Sequence, residues 1–186
     1  MEMFDYREAR RYAMQLGLKV AGTWIISFLM FVYLFPSMVS QLAYLVGLSS
    51  IALAGIQIRR YRQQEESLTM LRCWWVSWFT YMCCALLTTA AQYIYFAWFD
   101  QGRLMGSMAN LLASDEIREV YTQMQATDLL ENLQRAVEEL AALPVKELVM
   151  SLMSTNMILG LIFSILTLLC LIGSQPGEKG NERMEE

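Results

Sequence analysis

The stretch RCWWVSWFTYMCCALLTTAAQYIYFAWFD, residues 72–100, carries no charged side chain over residues 73–99. Small residues fill its middle, and rings crowd both ends: Trp74, Trp75, Trp78, Tyr93, Tyr95 and Trp98. Trp75 and Trp98 are 23 residues apart. That spacing is about 34 Å along an α-helix, close to the thickness of a hydrocarbon core with part of its interfaces. Indole and phenol rings favour those interfaces, so the pattern predicts a membrane-spanning helix with an aromatic belt at each end.

Two further uncharged tracts, residues 20–58 and 148–177, also exceed the roughly 20 residues that cross a bilayer. The first tract is long enough for two spans, and Pro36 near its middle is a natural break because proline removes a helix hydrogen bond. We therefore predict an all-α membrane protein with four transmembrane helices, near residues 14–35, 38–58, 73–98 and 147–172. Residues 1–175 form one membrane domain in this interpretation, and residues 176–186 form a disordered cytoplasmic tail.

Basic residues are unevenly distributed among the connecting segments. They concentrate before the first span and between the second and third, at Arg7, Arg10, Arg11, Arg59, Arg60 and Arg62. The positive-inside rule then predicts that both termini are cytoplasmic. The segment of residues 101–146 lies on the opposite, outer side in this topology.

Small and polar residues inside the spans predict how the helices associate. Ala13, Gly17 and Ala21 recur every four residues, a spacing that allows close helix packing. Gln92 and Asn156 lie at similar depths in two antiparallel spans, and we expect them to face the bundle interior near one another. The predicted polar layer consists of Gln92, Asn156, Thr88 and Thr155. Two interpretations stay open: a hydrogen-bonded layer that holds the helices together, or a polar pocket open to the outer side.

The outer segment, residues 101–146, is polar but patterned. Ser114 and Thr127 each precede acidic residues, which predicts two short amphipathic helices starting near these positions. The second helix has an apolar face that we interpret as a docking face for a partner: Leu129, Leu133, Val137 and Leu140. Its acidic residues are interpreted as a solvated face rather than as a cation site.

Several classes of function find no support in the residues. The chain has no histidine, and its four cysteines all fall inside predicted spans without a C-x-x-C pair. No motif for phosphate binding, zinc binding or nucleophilic catalysis is present in the sequence. We therefore predict no catalytic residue, cofactor-binding residue, metal ligand or nucleic-acid partner.

Three features together resemble a bacterial membrane family known as domain of unknown function 4199. They are the apolar hairpin ending in IQIRRYRQQE (residues 56–65), the third span closing in QYIYFAWFD (residues 92–100), and the acidic helical insert before the final span. The resemblance covers about residues 15–175. It implies a multi-pass protein of the bacterial cytoplasmic (inner) membrane, and it transfers no functional residue because the family has no established activity.

Our leading hypothesis is a non-enzymatic interaction or assembly subunit in that membrane. Its partners would be the lipid bilayer and either another membrane protein or further copies of the chain. The alternative is a small oligomeric carrier or channel whose path is lined by the Gln92/Asn156 layer. A membrane-embedded enzyme ranks third.

Overall fold

The computed structural model describes residues 6–64 and 69–173, and within them the chain is helical, with no strand. The helices are α1 (Tyr6–Leu34), α2 (Leu42–Gln64), α3 (Met70–Tyr95), α4 (Arg103–Leu112), α5 (Asp115–Gln123), α6 (Thr127–Ala142) and α7 (Val145–Gly173). Helices α1, α2, α3 and α7 are long and apolar enough to cross a membrane, which confirms the prediction of four spans. The predicted tail, residues 176–186, lies outside the described residues.

The long helices extend beyond the predicted spans. Helix α1 begins at Tyr6, although its uncharged tract begins only at residue 20. A helix satisfies its own backbone hydrogen bonds, so it need not end where the apolar residues end. The predicted break at Pro36 is confirmed, because α1 ends at Leu34 and a 3-10 turn, Met38–Gln41, precedes α2.

Side-chain contacts give the direction and the order of the four spans. Trp24 and Ser27 on α1 contact Ser50 and Ala43 on α2, so these helices are antiparallel. Helices α1 and α3 run parallel, as shown by contacts from Ala13 to Thr80 and from Phe28 to Tyr95. Helix α3 packs on α1 and α7, and α2 packs on the same two helices. The bundle therefore has α1 and α7 at opposite corners, with α2 and α3 between them.

The contact between α1 and α3 is made close by small residues. A Cβ atom on Gly17 would lie 2.9 Å from both the Cβ of Cys83 and the carbonyl oxygen of Thr80. The hydroxyl of Thr80 donates to the carbonyl of Ala13 at 3.3 Å. Ala13, Gly17 and Ala21 are all buried, which confirms the predicted packing face.

A tight turn joins α3 to α4. Residues Phe96–Asp100 form a π-helical turn, and the next two residues, Gln101 and Gly102, adopt left-handed backbone angles (φ 47° and 80°). The buried carboxylate of Asp100 accepts hydrogen bonds from the hydroxyl of Tyr95 (3.0 Å) and from the backbone N–H of Leu104 (3.1 Å). Asp100 thus fixes the start of α4.

This turn corrects the predicted aromatic belt at one position. Tyr95 is buried and bonded to Asp100, so its assignment to the interface was wrong. Trp98 and Tyr93 are exposed on the surface of α3 and its π-helical extension. The spacing of rings along the chain does not distinguish a tyrosine that faces lipid from one that finds a buried acceptor.

The segment between α3 and α7, here called the insert, contains three helices where the sequence predicted two. Helix α4 was not predicted, because its sequence RLMGSMANLL has no capping residue of its own and its first turn is anchored by Asp100. Ser114 precedes α5, but its hydroxyl donates to the carbonyl of Leu111 instead of capping the helix. Leu104 of α4 packs against the end of the bundle, in a buried cluster with Tyr95, Phe96, Leu148 and Val149. We call this end of the bundle the insert end.

Candidate functional site

The structure brings Gln92 of α3 and Asn156 of α7 into direct contact. The Nδ2 atom of Asn156 donates to Oε1 of Gln92 at 2.8 Å and to Oγ1 of Thr89 at 3.1 Å. Both amides are buried. They meet because α3 and α7 are antiparallel. Gln92 lies eight residues before Asp100 and Asn156 lies 11 residues after the start of α7, which is about two to three helical turns in each case.

Thr89 fixes which way the Asn156 amide points. The hydroxyl of Thr89 donates its single proton to the carbonyl of Ala85 at 2.8 Å, so toward Asn156 it can only accept. Asn156 therefore presents its NH₂ group to both partners, and Gln92 must present its carbonyl oxygen. Within the described residues, no hydrogen bond uses Oδ1 of Asn156 or Nε2 of Gln92.

These two atoms keep some exposed surface. Among the described residues, no fully buried side-chain nitrogen or oxygen lacks a hydrogen-bond partner. Oδ1 of Asn156 and Nε2 of Gln92 have no such partner, so neither atom is fully buried. The pair consequently offers one acceptor and one amide donor to the space beside it.

The other two members of the predicted layer differ from one another. Thr88 is buried beside the pair, with Oγ1 3.9 Å from Sγ of Cys84. Thr155 is exposed, and its hydroxyl donates to Ser151 on its own helix, so its inclusion in the layer was wrong. Adjacent residues are about 100° apart around a helix, so Thr155 cannot share the inward face of Asn156. Thr89 takes this role instead, and its position three residues before Gln92 was the signal that we missed.

The amide pair lies at the floor of a pocket of about 510 Å³. Three polar residues form the floor: Thr88, Gln92 and Asn156. The walls are mostly apolar and aromatic: Trp24, Ser27, Phe28, Phe31, Ala43, Gly47 and Phe163. Tyr44, Leu48 and Leu159 complete the lining and, unlike the floor, are exposed on the outside of the bundle. The pocket therefore opens sideways between α2 and α7, and we call it the lateral pocket.

The lateral pocket has an uncharged lining within the described part of the chain. None of the described residues that line it is an aspartate, glutamate, lysine or arginine. Its polar groups are amides, hydroxyls and the ring nitrogen of Trp24. The site can therefore exchange neutral hydrogen bonds with a ligand while its walls pack against apolar groups.

Further from the insert end, the bundle interior is filled by a second set of polar contacts. Nε1 of Trp24 donates to Oγ of Ser50 at 3.1 Å. The hydroxyl of Tyr81 lies 3.4 Å from the carbonyl of Ser50 and 3.2 Å from Oγ1 of Thr167. All four side chains are buried. The amide pair thus faces a pocket that ends at Trp24, and these side chains occupy the interior beyond it.

Comparison with known protein families matches residues 15–169 to a family described as "Protein of unknown function (DUF4199)". The chain belongs to the DUF4199 family. The matched segment includes every residue that lines the lateral pocket. Comparisons with curated proteins and with solved structures found no match to the chain. The resemblance noted in the sequence is confirmed, and DUF4199 membership itself assigns no activity.

In this DUF4199 protein the predicted docking face of α6 is divided. Leu129 and Leu133 are exposed, at 53% and 37%. Val137 is buried, and Leu140 packs into the cluster at the insert end, so their inclusion in an available face was wrong. The reason is α4, which packs against α6 and whose Leu112 carbonyl accepts from Nε2 of Gln134 at 2.9 Å.

Proposed function

We propose that this DUF4199 protein is a non-enzymatic binding protein of the bacterial cytoplasmic membrane, which holds a membrane-resident ligand in the lateral pocket. The observation that carries the proposal is the sideways opening between α2 and α7, with a buried polar floor behind an apolar, aromatic passage. The volume, about 510 Å³, falls within the roughly 300–1,000 Å³ of ligand pockets in general.

The depth of the pocket supports a ligand that arrives from the lipid. Gln92 is eight residues from Asp100, or about 12 Å along the helix. Its level is therefore inside a hydrocarbon core about 30 Å thick. A ligand entering past Leu48 and Leu159 would already be dissolved in the bilayer. Lipid tails are as apolar as these side chains, so affinity would depend on packing against the aromatic walls and on hydrogen bonds at the floor.

The same geometry favours binding over the alternative of a carrier or channel. A path through one bundle would have to continue past Trp24, where Ser50, Tyr81 and Thr167 are buried and bonded to one another. The floor also lacks an ionisable group that could relay a proton. Amides and hydroxyls without an acid or base support a non-enzymatic role for the site.

A photolabelling experiment tests the proposal. The protein is reconstituted in vesicles of phosphatidylethanolamine and phosphatidylglycerol that contain hexadecanol with a mid-chain diazirine. We expect labelling of Phe28 and Phe31 on the pocket wall, suppressed by excess unlabelled hexadecanol. Leu159→Trp, which places an indole at the pocket opening, should lower this labelling at least fivefold, because the larger ring occupies the space that the chain needs.

Leu161→Trp is the matched control, since Leu161 is on the same helix, is similarly exposed (41% against 39% for Leu159) and does not line the pocket. Labelling at Ile56, exposed on α2 away from the pocket, reports contact with bulk lipid and should be the same in all three proteins. Equal labelling of the pocket wall in Leu159→Trp and Leu161→Trp would refute a ligand site.

A second candidate function is an assembly subunit that contacts a partner through the insert. It is favoured by Leu129 and Leu133, which remain exposed one turn apart in the first half of the apolar face of α6. In the topology that we propose, the insert is outside and both termini are cytoplasmic. The support is the grouping of basic residues at the other end of the bundle, at Arg7, Arg10, Arg11, Arg59, Arg60 and Arg62.

One variant tests both the topology and the contact. Leu133→Cys in intact cells should react with a membrane-impermeant thiol reagent, and an impermeant bifunctional reagent should join it to a different membrane protein. Val137→Cys is the control, because that position is buried against the rest of the insert. Absence of reaction until the cells are opened would overturn the topology, and recovery of self-crosslinked chains alone would overturn the partner.

A further inference from the structure

We infer that the ligand of the lateral pocket has an uncharged end group that both donates and accepts a hydrogen bond, such as a hydroxyl or a carboxamide, and that this end lies against Gln92 and Asn156. The inference rests on the proposed function and specifies the chemical class of ligand. It follows from which atoms of the floor are already bonded, from the charge of the lining and from the shape of the pocket.

The floor presents a donor beside an acceptor. Asn156 uses both protons of its NH₂ group on Gln92 and Thr89, which leaves its Oδ1 as an acceptor. Gln92 uses its Oε1, which leaves the NH₂ group of its amide as a donor. Because Thr89 donates to Ala85, neither amide can be reversed without losing a hydrogen bond. A ligand group that only accepts would leave Oδ1 unbonded, and one that only donates would leave Nε2 unbonded.

The lining of the pocket disfavours a ligand with a charged end group. Among the residues that the structure describes, no acidic or basic side chain lines the pocket. The floor lies about 12 Å from Asp100 along the helix, at hydrocarbon depth. An ionised phosphate, carboxylate or ammonium group brought to this depth would lose its water and gain no opposite charge. A hydroxyl or carboxamide loses much less, and the two amides replace the bonds that it loses.

The shape of the pocket orients the ligand. Thr88, Gln92 and Asn156 are at the buried end, while Phe28 and Phe31 line the passage toward the opening. An amphiphile therefore binds with its polar end innermost and its chain leading out past Tyr44 and Leu48 into the lipid. This order is the reverse of that of a phospholipid in a bilayer, whose charged head stays at the interface.

Competition against the diazirine-labelled hexadecanol tests the inference. The competitors have one chain length and differ at the end: hexadecanol, hexadecanamide, hexadecyltrimethylammonium and hexadecane. We expect the alcohol and the amide to displace the probe from Phe28 and Phe31 at concentrations at least fivefold lower than the cation or the alkane. One hydrogen bond typically changes affinity by up to about tenfold, so the two bonds at the floor are sufficient for the expected fivefold difference between competitors.

Variants of the floor residues test whether the amides of Gln92 and Asn156 cause the difference between competitors. Gln92→Met removes the open donor at similar size, and Asn156→Leu removes the open acceptor. Either variant should reduce the ratio by which hexadecanol competes better than hexadecane at least threefold. Labelling of Phe28 and Phe31 by the probe should persist in both. Thr155→Val is the matched control on the exposed side of α7 and should keep the full advantage. If one floor variant fails to fold, the other gives the same readout.

The outcomes separate the inference from the proposed function. If the wall is labelled in the wild type but hexadecane competes as well as hexadecanol, or the cation competes best, the inference is wrong and the pocket still binds a ligand. If the wall is labelled no more in the wild type than in Leu159→Trp, the proposed function itself is wrong. Retention of the full alcohol preference in both floor variants would also overturn the inference.

Discussion

Gly17→Leu is expected to lower the free energy of unfolding by about 3 kcal/mol or more, the upper range for overpacking a close contact. The Cβ atom alone would come within 2.9 Å of the carbonyl oxygen of Thr80, which is part of the backbone of α3 and cannot rotate away. The two helices would have to separate, and the hydrogen bond from Thr80 to Ala13 would be lost with the contact. Gly17→Ala should have a smaller effect of the same sign.

The matched control is Gly22→Leu, on the same helix. A Cβ atom at Gly22 would have no neighbour within 4 Å, so this substitution should change stability by less than about 1 kcal/mol. The measurement is the fraction of protein that remains monodisperse after heating in mild detergent. Similar loss in the Gly17 and Gly22 variants would show that leucine itself, and not the α1–α3 contact, is responsible.

Asp100→Leu is expected to cost about 2–4 kcal/mol, because the Tyr95 hydroxyl and the Leu104 N–H would both be left buried without their acceptor. The loss should be concentrated in the insert, since Leu104 belongs to the first turn of α4 and packs in the cluster at the insert end. Hydrogen–deuterium exchange over residues 103–142 should therefore accelerate more than exchange in the four spans.

Two controls separate the causes. Asp100→Asn keeps an oxygen at the same position, can accept from the same two donors and should retain most of the stability. Asp128→Leu replaces an exposed acidic residue at the start of α6 and should cost less than about 1 kcal/mol. If Asp100→Asn proves as damaging as Asp100→Leu, the negative charge is what matters and the accepting oxygen is not sufficient.

Much of the fold could be predicted from the sequence because the bilayer imposes simple constraints. Uncharged tracts of sufficient length located four spans, and Pro36 located the break between the first two. Depth along two antiparallel helices was enough to place Gln92 opposite Asn156. Each of these inferences uses only distance along a helix and the solvent that surrounds it.

The parts that could not be predicted depend on rotation and on tertiary partners. Thr155 was wrongly grouped with Asn156 because depth says nothing about which face of a helix points inward. Helix α4 was missed because its anchor, Asp100, belongs to the preceding helical turn. Without α4, nothing in the sequence indicated that Val137 and Leu140 would be covered, so both were assigned to the docking face. The residues that line the lateral pocket come from four different helices, so no local pattern indicates them.

The bond between Gln92 and Asn156 joins residues 64 positions apart, which has a consequence for biosynthesis. A ribosome releases α1, α2 and α3 before α7 exists, so the Gln92 amide enters the bilayer ahead of its partner. The final helix both supplies Asn156 and encloses the cavity. A nascent chain that stops before residue 145 therefore lacks the Asn156 donor that the Gln92 amide oxygen bonds in the complete bundle.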